Sequence, residues 1–87
     1  MKPFEIEHFD GSVTRYETMK DVEKSIRYRA QNQPFDDCSF PALDFLISIQ
    51  YKAELTKDEY NHLYDIAAEI YGKRYEQRFR KQMMSWR

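Results

Sequence analysis

Ala42-Leu43-Asp44-Phe45-Leu46-Ile47-Ser48-Ile49-Gln50-Tyr51-Lys52-Ala53 is the stretch on which the fold turns. Leu43, Phe45, Ile47, Ile49 and Tyr51 alternate as on a strand with one buried face, which would give a three-stranded sheet carrying two helices. Ala42, Phe45, Leu46, Ile49 and Ala53 also fall on one helical stripe, and Pro41 suits a first helical turn, where no N–H is needed. The strand reading leaves Leu46 on the polar face, so helix over 42–53 is favoured and strand is the alternative.

Upstream the periods are clearer. Phe4, Ile6 and His8 alternate with Glu5 and Glu7, and Asp10-Gly11 marks a turn. A three-residue loop, Phe9-Asp10-Gly11, sets Phe4 opposite Tyr16 and Glu5 opposite Arg15; a two-residue turn would set Phe4 against Glu17 and Ile6 against Arg15. The hairpin is therefore expected over about 4–16 with the longer loop. Thr18 precedes Asp21 by three residues, a capping-box spacing, and Met19, Val22, Ile26 and Ala30 form a narrow apolar stripe, so a helix is expected over about 19–31. Residues 32–39 have no period and contain Pro34, the mark of a loop.

Downstream, Thr56 and Glu59 form a second capping box, with Leu55 and Tyr60 placed as a hydrophobic staple. Tyr60, Leu63, Tyr64, Ala67, Ile70 and Tyr71 continue at helical spacing, and Tyr75, Phe79, Met83 and Trp86 carry it past Gly72. The expectation is one long helix over about 57–86, with a kink or short break at Gly72. Tyr51, Tyr60, Tyr64, Tyr71 and Tyr75 read as interhelical packing, with the hydroxyls at the boundary. The fold class is α+β: an N-terminal hairpin and three helices in a single domain over residues 1–87.

Composition narrows the function classes. At 87 residues the chain is too short for a two-domain enzyme, while 41% hydrophobic and 16% aromatic content supports a folded core. The lone Cys38 forms no internal disulfide, and the longest apolar run is Phe45-Leu46-Ile47, so a cytoplasmic protein with no membrane contact is expected. Neither His8 nor His62 stands in metal-binding spacing, and the two glycines form no phosphate loop; no metal and no cofactor is expected. His62 and Asp65 stand three apart on one helix, but a nucleophilic cysteine needs an electropositive setting and Cys38 follows Asp36 and Asp37. Glu5 and Glu7 lie on the solvated face of a strand. No catalytic residue is assigned and no enzyme activity is expected.

Charge is unevenly placed. The net charge is -1, yet residues 73–87 hold Lys73, Arg74, Arg78, Arg80, Lys81 and Arg87 against Glu76 alone, a net +5, which leaves -6 on residues 1–72. On a helix these cations spread over roughly 180°, with Tyr75, Phe79, Met83 and Trp86 grouped opposite within about 80°. The aromatic face either lies on the domain's own core or protrudes to dock a protein or a second copy. A small domain has little core left for Phe79, Met83 and Trp86, so the expected partner-binding residues are Tyr71, Tyr75, Phe79, Met83 and Trp86. The cations are expected to contact an acidic partner or phosphates, which would make nucleic-acid binding the alternative. The acidic remainder opposes that alternative, and no RRM, KH or zinc-finger signature supports it. In length and aromatic, charge-rich texture the chain is similar to small accessory proteins of bacteria and their phages, which implies a regulator or inhibitor that binds a larger protein stoichiometrically.

Overall fold

The computed structural model describes residues 1–85, with side chains as far as Arg78. Strands β1 (Phe4–Glu7) and β2 (Val13–Tyr16) pair antiparallel in the expected register, Phe4 opposite Tyr16 and Glu5 opposite Arg15. The loop between His8 and Ser12 has three residues. Gly11 sits at φ +85°, its N–H donating to the His8 carbonyl at 3.0 Å, and Asp10 accepts the Ser12 N–H at 2.9 Å. Only glycine takes that left-handed position without a steric cost. The Phe4 and Tyr16 rings stack with centroids 4.9 Å apart, both buried, so one sheet face enters the core. On the other face Arg15 pairs with Glu5 at 3.1 Å and with Glu17 at 2.7 Å, in water.

Helix α1 (Met19–Asn32) opens on the Thr18–Asp21 capping box and buries Val22, Ile26 and Ala30 completely. The loop that follows tucks in Phe35 and is pinned by paired backbone bonds between Asp36 and Ser39, 3.0 and 3.3 Å. The ambiguous stretch is helix: α2 (Pro41–Ile49) buries Ala42, Phe45, Leu46 and Ile49. It stops at Ile49, short of the expected Ala53, although the Ala53 N–H still donates to the Ile49 carbonyl at 2.9 Å. After Ile49 the chain continues in turns, Glu54 adopts φ +47°, and the N–H groups of Leu55 and Glu54 close on the carbonyls of Gln50 (3.0 Å) and Tyr51 (3.2 Å). These are the six-to-one and five-to-two bonds of a Schellman ending, with glutamate in the place glycine usually takes.

Helix α3 (Lys57–Ser85) begins at the Thr56–Glu59 box, where the Thr56 N–H donates to Glu59 at 2.9 Å and the Glu59 N–H donates to the Thr56 hydroxyl at 3.1 Å. It runs through Gly72 as one helix, so the expected break there is not found; a methyl group at Gly72 would meet nothing within 4 Å. The end predicted at residue 86 lies outside the described residues. At 1.5 Å per residue α3 is about 44 Å long, roughly twice the length of α1. Its inner face contributes Leu63, Ile66, Ala67 and Tyr71 to a core shared with both other helices and the hairpin.

Candidate functional site

Position on α3 decides what each functional candidate can do. Tyr71, expected at a partner surface, is 4% exposed and belongs to the core. Its ring packs against Phe35 and Phe40 with centroids 5.0 and 5.1 Å away. Its hydroxyl accepts the Ala42 N–H at 2.8 Å. That bond answers a local need of α2: the N-cap residue is Phe40, with no side-chain acceptor, and Pro41 has no N–H, so Ala42 carries the first amide requiring a partner. Burial pushes the Tyr71 hydroxyl above the ordinary tyrosine pKa, an effect the Ala42 bond partly offsets.

The basic residues divide. Arg74 Nη1 donates to the Ala30 carbonyl at 2.6 Å and the Gln33 carbonyl at 2.8 Å, closing the C-terminal end of α1, and the guanidinium lies 4.6 Å from the centre of the Phe35 ring. Arg78 lies over the same ring at 4.7 Å and reaches the Phe35 carbonyl only at 3.4 Å. Lys73 stays exposed and pairs with Glu69 one turn earlier at 3.3 Å. The structure thus brings Arg74 and Arg78 together on one buried phenyl ring rather than spreading them along an outer stripe. The side chains of Phe79, Arg80, Lys81 and Met83, and residues Trp86 and Arg87, lie outside those described.

Tyr75 is 56% exposed, and Ile47 at 53%, Tyr51 at 84% and Tyr64 at 44%, none singled out as a partner contact, are exposed as well, as are Phe9 and Val13 of the hairpin and Tyr28 of α1. The expectation that Tyr51, Tyr64 and Tyr75 pack between helices is therefore corrected; of the five tyrosines read as interhelical packing, only Tyr71 is buried and Tyr60 half-buried. Helical phase places Tyr64 and Tyr75 on one side of α3. On α3, His62 meets Glu23 of α1 at 2.6 Å and Arg74 meets the end of α1, whereas Tyr71 meets α2. Tyr64, Ala68 and Tyr75 follow at steps of four and seven residues on the Tyr71 side of the helix. On α2, Phe45 faces Tyr16 and Arg29, toward the hairpin and α1, which turns Leu43 and Ile47 to the opposite flank, toward α3. The outer seam between α2 and α3 is therefore edged by apolar side chains from both helices.

A signal for this seam is present in residues 42–53. Once Ala42, Phe45, Leu46, Ile49 and Ala53 are assigned to a helical core stripe, Leu43, Ile47 and Tyr51 remain at four-residue steps as a second stripe, of which Leu43 packs half-buried against the core and Ile47 and Tyr51 are exposed. The surplus of apolar residues that made the segment look like a strand is what lines the seam.

Other candidates for chemistry sit apart. His62 bonds to Glu23 rather than to Asp65, and Cys38 is exposed in its loop, its N–H donating to Asp36 at 2.8 Å. Among the described residues no group of three or more His, Cys, Asp or Glu side chains could hold a metal ion, and no helix is long and apolar enough to cross a membrane. No protein-family model matches the sequence, and neither a curated protein nor a solved structure matches the chain.

Proposed function

We propose that this chain is a stoichiometric protein-binding module that docks a larger partner on the outer α2–α3 seam, without catalysis. The observation that carries the reading is the exposure of four large apolar side chains, Ile47 on α2, Tyr51 in the turn after it, and Tyr64 and Tyr75 on α3, while Leu46, Ile49, Leu63, Ala67 and Tyr71 of the same segments fill the core. Tyrosines on rigid helices bury much area at small entropic cost, which is why binding energy concentrates on such residues. The four-residue steps that extend the α3 edge of the seam reach Phe79 in sequence, and Met83 and Trp86 follow it on the aromatic face. A cytoplasmic regulator or inhibitor of a larger bacterial or phage assembly is the role that fits a domain of this size.

Nucleic-acid binding through residues 73–87 has less support. The net -6 of the remaining chain opposes the approach of a long polyanion.

The test is quantitative capture from the native host on immobilised protein, wild type against Ile47→Ser/Tyr64→Ala/Tyr75→Ala, with light scattering on both. The expected result is one partner, or a second copy, bound by the wild type at a fixed ratio and lost by a variant whose circular dichroism is unchanged. Retention of the same partner at the same ratio by the folded variant would move the site elsewhere.

A further inference from the structure

The opposite side of α3, where it lies along α1, has a different chemistry. Two adjoining hollows of about 250 and 290 Å³ share Arg74 and Gln77. The first is completed by Phe35 and Arg78, and the second includes Arg27 and Gln31 from α1 with Lys73 and Glu69 from α3. Four cations thus meet one carboxylate in a single groove, in a chain whose net charge is -1. Among the described residues, Arg27, Arg74 and Arg78 have no carboxylate within ion-pair distance; only Lys73 is paired, with Glu69. Gathering like charges in this way costs stability, and fifteen Asp and Glu side chains were available to neutralise them.

The groove is preorganised for an anion. Two carbonyls and an aromatic ring hold Arg74 in place, yet both carbonyl bonds use Nη1, so its Nε and Nη2 donors have no hydrogen-bond partner among the described residues. Arg78 rests on the same ring with only long contacts to the Phe35 carbonyl, and Arg27 has no hydrogen-bond or ion-pair partner among the described residues. Fixed guanidinium forks lose little entropy on binding and match the oxygen pairs of phosphate. The side-chain amides of Gln31 and Gln77 add neutral donors at the rim. Each hollow is at or below the roughly 300–1,000 Å³ typical of sites that enclose a drug-sized molecule, and the one aromatic ring is covered by arginines rather than open for a base to stack on.

We propose that the α1–α3 groove binds a small, multiply charged phosphate chain, a pyrophosphate or triphosphate, through Arg27, Lys73, Arg74 and Arg78. The site lies on a different flank of α3 from the outer seam and does not depend on the docking reading.

Isothermal titration calorimetry of the full chain at low salt, with inorganic pyrophosphate, inorganic tripolyphosphate and ATP as separate titrants, tests the site. Arg74→Ala also removes the closure of α1, so the variants are Arg27→Ala/Lys73→Ala, which touch only exposed side chains, with Lys52→Ala/Lys57→Ala at the far α2–α3 turn as the control. The expected result is saturable one-to-one binding of the phosphate chains, weakened about tenfold or more in the groove variant and within twofold of wild type in the control. Equal binding of tripolyphosphate and ATP assigns recognition to the phosphate chain alone, and tighter ATP binding adds its nucleoside. The proposal is overturned by absence of saturable binding, by undiminished binding in Arg27→Ala/Lys73→Ala, or by a short oligonucleotide that binds when the phosphate chains do not.

Discussion

Replacing Tyr71 by phenylalanine removes a single oxygen and keeps the ring that packs between Phe35 and Phe40. The consequence falls on Ala42, whose N–H donates to that oxygen at 2.8 Å and which is wholly buried. Among the described residues no other acceptor takes it: Phe40 offers no side-chain cap, and its carbonyl already receives the N–H groups of Leu43 and Asp44, both at 3.0 Å. Tyr71→Phe therefore leaves one buried amide unpaired at the start of α2. Removing a helix cap costs about 0.5–2 kcal/mol, and an unpaired buried donor costs about 1–3 kcal/mol. The two scales overlap at about 1–2 kcal/mol, which in a domain of this size lowers the melting temperature by roughly 4–16 °C. Urea and thermal denaturation followed by far-ultraviolet circular dichroism measure it, with Tyr75→Phe, at an exposed position on the same helix, as the control expected within about 0.5 kcal/mol of wild type. A pH arm adds a signature that packing alone does not produce. Because burial raises the folded-state pKa of Tyr71, its neutral hydroxyl stabilises fully below the ordinary tyrosine value near 10, and that contribution is lost as pH rises through the folded-state value. The gap between wild type and Tyr71→Phe should therefore narrow at strongly alkaline pH. Equal stability of Tyr71→Phe and Tyr75→Phe at neutral pH would refute the assignment of this hydroxyl as the cap of α2.

Glu54 holds φ +47° where the Schellman ending favours glycine, so Glu54→Gly should raise stability by about 0.5–1 kcal/mol, read as a higher urea midpoint at unchanged slope. Gly72→Ala should also stabilise, by about 0.5–1 kcal/mol, because the new methyl group meets nothing and the helix is continuous there; a loss of stability would restore the break at Gly72. In acid, Asp21 is held below the ordinary carboxylate pKa by the N–H groups of Glu17 and Thr18, and Glu59 by the Thr56 N–H and then the Met1 ammonium group. Depressed folded-state values mean that stability is intact above the ordinary carboxylate range and falls as pH drops through it, so the urea midpoint should decline below about pH 4. Asp21→Asn/Glu59→Gln should flatten that decline.

How much of this was legible in the sequence follows from the range of the interactions involved. The hairpin register, both capping boxes and the α1 stripe rest on residues within about ten positions of one another, and the structure has them where their spacing put them. Helix over 42–49 needed a choice between two periods that local chemistry alone left open. The change from helix to turns after Ile49 was missed because Gln50, Tyr51 and Lys52 carry no stop signal and glutamate carries none for the left-handed residue that follows, so only the bonds from Leu55 and Glu54 reveal it. The candidate site was the least legible part. Tyr71 and Tyr75 are four apart on one helix with the same ring, yet one caps α2 and the other faces water. Arg74 reads as surface charge until the carbonyls of Ala30 and Gln33, more than forty residues earlier, arrive beside it.

Those long-range contacts explain why a helix longer than its neighbours can order the whole domain. α1 ends at Asn32, capped by Gln33, with carbonyls that need donors, and α2 begins at Pro41, where the Ala42 amide needs an acceptor; both deficits lie around the loop over residues 33–40. Tyr71 and Arg74, three residues apart and so neighbours on one face of α3, supply an acceptor to one and donors to the other. Phe35 lies between, covered by both side chains and by Arg78. One turn of α3 thus joins the end of the first helix, the loop and the start of the second. If this junction holds the domain together, Tyr71→Phe and Arg74→Met should each destabilise, and the double variant should lose less than the sum, because the second substitution acts on a loop the first has already loosened. Strict additivity in a double-mutant cycle would show two independent caps that happen to share a helix.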